Sequence, residues 1–138
     1  MKIKKIINEL IMPNKAYEND AGFDVYSPFD FWLFKGQIKQ IKLGFAIEIN
    51  QDEVCIMSER SGMAIHTGIT SIGNVIDSGY RGEVSIILFN AGPQDYYVNK
   101  GNKIGQMLIL KLGNQDIEEV DELTETDRGL KAHSSSGK

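Results

Sequence analysis

The sequence predicts an all-β domain of the barrel or sandwich type with one short helix. Three observations point there. Apolar residues recur at the two-residue period of a half-buried strand, in segments only a few residues long. Glycine, 14 of 138 residues, punctuates those segments at turns. No long stretch has the 3.6-residue period of an amphipathic helix. Many short strands with Gly-rich turns are the pattern of β-barrels and sandwiches.

The elements follow in chain order. Gly22 admits a tight backbone ahead of a strand. Residues 37–43 (QIKQIKL) begin near-alternating, and 45–49 (FAIEI) alternate cleanly. Residues 54–57 (VCIM) are an apolar run in which Cys55 is expected to pack as a small hydrophobe. After Ser61-Gly62, residues 63–66 (MAIH) suit a helical turn or two. Residues 84–89 (VSIILF) and 104–110 (IGQMLIL) are β-rich runs bounded by Gly or Asn. From Thr124 the chain reads TETDRGLKAHSSSGK, polar and without periodicity. The expected division is therefore a β domain over 1–123 and a flexible tail over 124–138.

Bulk properties narrow the function. A chain of 138 residues suits one domain with one core. The net charge of -4 argues against a groove for duplex nucleic acid. A local cluster of Arg, Lys and backbone N–H groups would still suffice for a phosphate ligand. The single cysteine fits a reducing cytosol. The opening MKIKKIINELIMP lacks a long apolar stretch and a small-residue cleavage site, and no run approaches a membrane span. The expected location is cytoplasmic, with no membrane partner.

Five segments carry candidate chemistry. In 21–27 (AGFDVYS), Asp24 is a carboxylate that by itself reads equally as a turn cap. In 58–64 (SERSGMA), Ser61 and Gly62 enter a helix, where free N–H groups and a hydroxyl can meet an anion. Arg60 adds a planar donor fork for phosphate oxygens; a helix cap with a surface Arg accounts for the same residues. In 73–83 (GNVIDSGYRGE), Asp77-Ser78-Gly79 is a turn signal, and an ionised Asp77 is able to accept a proton. A surface turn beside a half-buried Tyr80 is the plainer alternative. In 101–107 (GNKIGQM), Gln106 alone is a polar strand residue. In 128–137 (RGLKAHSSSG), Arg128, Ser135 and Ser136 offer a fork and hydroxyls on a pliable backbone, suited to phosphate. His66 has no Cys or His partner, and no metal-ligand cluster is visible.

Together, and in this order, the five segments resemble the five motifs of the trimeric dUTPase family, over most of the chain from about Ala21 to Gly137. The resemblance implies a jelly-roll-like β-barrel assembled as a homotrimer, with active sites shared between subunits. It implies hydrolysis of dUTP to dUMP and pyrophosphate, which keeps uracil out of DNA and supplies dUMP for dTMP synthesis. Water would attack the α-phosphorus with Asp77 as general base. Arg60, Ser61, Gly62 and Gln106 would grip phosphate, with Asp24 orienting that arrangement. The segment bearing Asn74 and Ile76 would form a β-hairpin around Asp77-Ser78-Gly79 and read the uracil edge. Tyr80 would exclude a 2′-hydroxyl. Arg128, Ser135 and Ser136 would hold the γ-phosphate while His133 stacks on uracil. Mg²⁺ would arrive on the triphosphate with no protein ligand of its own.

The departures are specific. Glu59 replaces the family's usual Pro and is expected to point away from the triphosphate. Asn74 stands where Gly is usual, Asn102 replaces a commoner acid, and Lys131, Ala132 and Ser134 replace glycines. Two alternatives remain at this point. One is a dCTP deaminase-like enzyme of the same fold, which would need a proton-shuttling Glu. The other is a nucleotide-binding regulatory protein.

Overall fold

The computed structural model describes residues 1–113, 116–126 and 129. Among them the chain forms β1 (Lys2–Lys5), β2 (Phe23–Tyr26), β3 (Phe31–Leu33), β4 (Ile38–Lys42), β5 (Phe45–Glu48) and β6 (Glu53–Ser58). Helix α1 (Ser61–Thr67) follows. The chain then continues with β7 (Ile69–Ile72), β8 (Val75–Asp77), β9 (Ser85–Asn90), β10 (Tyr96–Val98) and β11 (Lys103–Lys111). A four-stranded sheet runs β2-β11-β6-β8 and a three-stranded one β4-β9-β7. Two further pairs are β1-β5 and β10-β3, and every pairing is antiparallel.

All four sheets feed one core. Val25, Leu33, Ile41, Phe45, Met57, Ile69, Ile86, Leu88, Ile104 and Met107 are buried within a single cluster. Each such side chain contributes about 1.5–3 kcal/mol by leaving water. The alternation that makes this possible is cleanest in β9, where Ile86, Leu88 and Asn90 point inward. Asn90 is a buried polar residue with its amide fully used: Nδ2 donates to the carbonyls of Leu33 (3.0 Å) and Gln94 (2.8 Å), and Oδ1 accepts from Gly92 N–H (3.0 Å). Helix α1 buries none of its own residues fully. Met63 packs against the core edge.

The expected strands at 37–43, 45–49, 84–89 and 104–110 appear as β4, β5, β9 and β11, and the short helix as α1. Cys55 is buried in β6, and burial pushes its thiol up to about 12. One expectation is overturned. The turn at Asp77-Ser78-Gly79 forms, closed by Tyr80 N–H to Asp77 O at 3.0 Å, but it does not join a hairpin. The strand before it, β8, pairs with β6, whereas β9 beyond it pairs with β4 and β7. The local turn chemistry is satisfied, and the two flanking strands then part into different sheets.

Residues 116–126 are exposed throughout. No helix among the described residues is long and apolar enough to cross a membrane.

Candidate active site

Strand register brings the first half of the site together. Gln106 on β11 lies opposite Asp24 on β2 and opposite Ser58 on β6. Neighbours across an antiparallel sheet share a face, so Asp24, Gln106 and the end of β6 converge. Arg60 stands two residues beyond Ser58, at the entrance to α1. Lys103 and Gln106 are three apart and would face opposite ways on a regular strand. The register slips between Lys103 and Gly105, where Lys103 faces Tyr26 and Gly105 faces Val25. This irregularity of the bulge kind re-aims Lys103 toward Asp24.

The result is a carboxylate held between two cations. Asp24 lies 3.1 Å from Arg60 Nε and 2.6 Å from Lys103 Nζ. The hydrogen bond from Lys103 to Asp24 raises the pKa of that ammonium. Ser61 and Gly62 open α1, whose first turn has no side-chain cap, so its leading N–H groups are available to an anion. Gln106 reaches across, donating from Nε2 to the carbonyl of Glu59 at 3.1 Å. Its Oε1 lies over Gly22 so closely that a Cβ there would meet it at 2.5 Å. Gly22 therefore matters as space for the Gln106 amide. Gly22, Asp24, Arg60, Ser61, Gly62 and Gln106, with Ala16, Tyr17, Asp20 and Ala21, line a cleft of about 320 Å³.

The second half is built around the 77–80 turn. Asp77 is exposed at the end of β8. Tyr80 folds back to donate its hydroxyl to Glu83 O at 3.0 Å. Its ring lies so close to Gly82 that a Cβ there would come within 2.4 Å of the phenolic oxygen. Arg81 clasps the turn from outside, donating from Nη1 to Ser78 O (2.6 Å) and Tyr80 O (2.9 Å). Glu83 anchors the segment by accepting Gly44 N–H at 2.9 Å. Asp77, Tyr80 and Ile76 join Gly73, Val75 and Ser85 around a cleft of about 210 Å³. Asn74 donates to Ser71 O at 3.4 Å, and its buried Oδ1 has no partner among the described residues. The left-handed residue of this connection is Gly73 (φ 62°).

The two clefts share no lining residue. One cleft thus collects Asp24, Arg60, Ser61, Gly62 and Gln106 and the other Ile76, Asp77 and Tyr80, while Asn74 lines neither and its amide reaches Ser71. Arg128, His133, Ser135 and Ser136 lie outside the described residues. His66 is exposed in the last turn of α1. The Glu59 carboxylate is turned onto Ser71, with Ser71 Oγ donating at 2.8 Å. Sequence reasoning missed Lys103, Arg81 and Glu83 as structural partners of the site. All three sit inside segments it had singled out, but their contacts depend on a register slip and a turn that spacing does not reveal.

Fold and site define an all-β protein with a carboxylate-braced cationic cleft and a second, turn-borne cleft carrying an exposed carboxylate. The dUTPase family model matches residues 8–137, and the chain belongs to that family. It is 39% identical over 139 aligned positions to the deoxyuridine 5'-triphosphate nucleotidohydrolase of Clostridioides difficile, covering 99% of this chain and 97% of the relative. It is 40% identical over 139 positions to the protein of that name from Clostridium acetobutylicum, covering 99% and 96%. Among solved structures, a mutant of the Staphylococcus bacteriophage 80alpha dUTPase with dUpNHpp superposes with a TM-score of 0.92 at 24% identity, covering 99% of this chain and 97% of that one. A dUTPase from phage phi11 of S. aureus, described with a structural Mg(II) ion, gives 0.82 at 21% identity, covering 90% and 98%. At these identities the structural likeness speaks for the fold: a dUTPase β-barrel with one short helix.

Proposed function

We propose that this chain hydrolyses dUTP to dUMP and pyrophosphate. The observation that carries the reading is the cleft in which Arg60, Ser61, Gly62 and Gln106 surround the Asp24 brace, in a chain whose full-length relatives bear the nucleotidohydrolase name. Arg60 supplies a fork donor and the α1 entrance supplies N–H groups where charge builds on phosphate oxygens. Asp24 holds Arg60 and Lys103 at fixed positions, so they need not reorganise as that charge develops.

Asp77 is assigned as the general base. It takes a proton from the water that attacks the α-phosphorus, and pyrophosphate leaves. Tyr80 sits beside it, braced by Gly82 and Glu83, and closes the space a 2′-hydroxyl would need. Ile76 and Asn74 belong to the segment that reads uracil. Arg128, Ser135, Ser136 and His133 complete the site from the tail, which we take as 124–138 following the domain 1–123. The two clefts in one chain share no lining residue, which suits a site that takes Asp77 from one copy and Arg60 from another. That is the arrangement a homotrimer with shared sites supplies.

The substrate is taken to be the Mg²⁺ complex of dUTP. Both oxygens of Asp24 are engaged by cations. No group of three or more His, Cys, Asp or Glu suited to a metal occurs among the described residues. On this reading Mg²⁺ would arrive on the triphosphate, keeping its waters, and would add to charge neutralisation there. The test is a pyrophosphate-release assay on dUTP, with dCTP and UTP as controls. Rapid release from dUTP alone is expected. Ammonia from dCTP, or binding without turnover, would reject the reading.

A further inference from the structure

We propose that Glu59 is a positioning residue for the reaction, acting through Ser71 to fix the peptide that carries Arg60 and orients Gln106. The inference rests on the hydrolysis reading above and adds a residue outside the catalytic and gripping set.

Glu59 uses both of its ends. Its Oε2 accepts hydrogen bonds from Ser71 Oγ at 2.8 Å and Ser71 N–H at 3.3 Å. Ser71 is 7% exposed on β7, a strand that pairs into the other main sheet. The Glu59 carbonyl accepts Gln106 Nε2 at 3.1 Å. Arg60 is the next residue, so one anchored peptide sets both Gln106 and the start of the arm that meets Asp24. With its nitrogen engaged on Glu59, Gln106 turns its oxygen toward Gly22 and the phosphate cleft, where an acceptor can orient a water. Ser71 O in turn accepts from Asn74 Nδ2 at 3.4 Å. Within one chain the tie therefore links the segment gripping phosphate at one site to the segment that would face the base at a neighbouring site.

Charge gives the tie a second consequence. A carboxylate beside a triphosphate would repel it, but the bonds to Ser71 hold this one against β7. Its own backbone N–H and the Ser71 hydroxyl keep the Glu59 carboxyl below the usual carboxylate range. The related motif usually has Pro here, whose ring fixes φ covalently. In this chain two hydrogen bonds to a buried serine do that job.

The experiment compares Glu59→Ala, Glu59→Gln, Glu59→Pro and Ser71→Ala. Two readouts are taken: steady-state kinetics on dUTP, and the Gln106 side-chain amide resonances of ¹⁵N-labelled protein. Displacing groups aligned for a reaction costs about tenfold to a hundredfold in rate, so Glu59→Ala should lower kcat by about tenfold or more with little change in KM. Ser71→Ala should fall between it and the parent. Glu59→Gln keeps an acceptor for Ser71 and Glu59→Pro restores rigidity, so both should retain most of kcat. The Gln106 resonances should shift in Glu59→Ala and stay put in Glu59→Gln. Unchanged kcat in Glu59→Ala, or Glu59→Gln as impaired as Glu59→Ala, would overturn the proposal. If Glu59→Ala fails to fold, Ser71→Ala, which removes one hydroxyl, carries the same test. A parent that releases no pyrophosphate would reject the hydrolysis reading instead. In that case unmoved Gln106 resonances in Glu59→Ala would still refute the tie.

Discussion

Asp24→Asn keeps the side chain's shape and removes the charge that holds Arg60 beside Lys103. The carboxylate side chain is 13% exposed, while Arg60 is 40% exposed and partly screened by solvent. Exposed pairs are worth about 0–1 kcal/mol and loss of one partner of a buried pair costs about 3–5, so the Arg60 contact at this depth should be worth about 1–2 kcal/mol. Removing the carboxylate also leaves two cations facing one another, and the net charge of the trio rises by one unit. Two measurements separate positioning from simple charge. kcat/KM on dUTP should fall about tenfold or more, since a freed Arg60 no longer waits where charge develops, and tenfold corresponds to about 1.4 kcal/mol. Inhibition by inorganic pyrophosphate should not weaken, because the site has become more positive. The Lys103 arm adds a pH signature. Its ammonium pKa is raised in the folded protein, so its contribution is complete below the unfolded value near ~10.4 and is lost as pH rises through the folded value. The gap in thermal stability between parent and Asp24→Asn should therefore hold through neutral pH and narrow only at strongly alkaline pH. Parental kcat/KM and melting temperature in Asp24→Asn would refute the bracing argument.

Three more outcomes are expected. Asp77→Asn should lose about 10²–10⁴-fold in kcat, the usual worth of a general base, while calorimetry shows dUTP binding nearly intact; turnover within a few-fold of the parent would exclude Asp77 from that role. Tyr80→Ala should raise activity on UTP relative to dUTP, and Gly82→Ala should do so more weakly because a Cβ there displaces the Tyr80 ring; an unchanged ratio of the two kcat/KM values would reject the steric role. Removing the chain from Asp127 onward should leave a folded protein by circular dichroism with little activity; full kcat/KM would show the tail to be dispensable, and failure to fold would show it to be structural.

How much of this was legible in the sequence depended on the range of the cause. β9 is readable because its alternation is local, whereas β5 departs from strict alternation, since Ala46 is buried between Phe45 and Ile47. β3 and β10 are not readable, since three residues carry too little periodicity to stand out. The turn at 77–79 was recognised from Asp-Ser-Gly chemistry, but which strands its flanks join is decided by distant partners in β6, β4 and β9. Arg60, Ser61, Asp77 and Gln106 stand out because the order of five segments resembles one family; spacing alone would not single them out. Lys103 escaped because its meeting with Asp24 needs the register slip near Ile104, which no residue spacing announces. The expectation that Glu59 faces away from the phosphate side agrees with its bond to Ser71, yet nothing local to Glu59 names that partner.

The central claim is that Arg60 and Asp77 of one active site come from different copies of the chain, and subunit mixing tests it directly. Arg60→Ala and Asp77→Asn chains are each expected to be nearly inactive. Co-refolded in equal amounts, they should regain about one quarter of parental activity, because random assembly gives about that share of shared sites an intact residue from each contributor. Activity that stays at the level of the separate variants, in a mixture that has demonstrably exchanged subunits, would place both residues in a single-chain site and contradict the account.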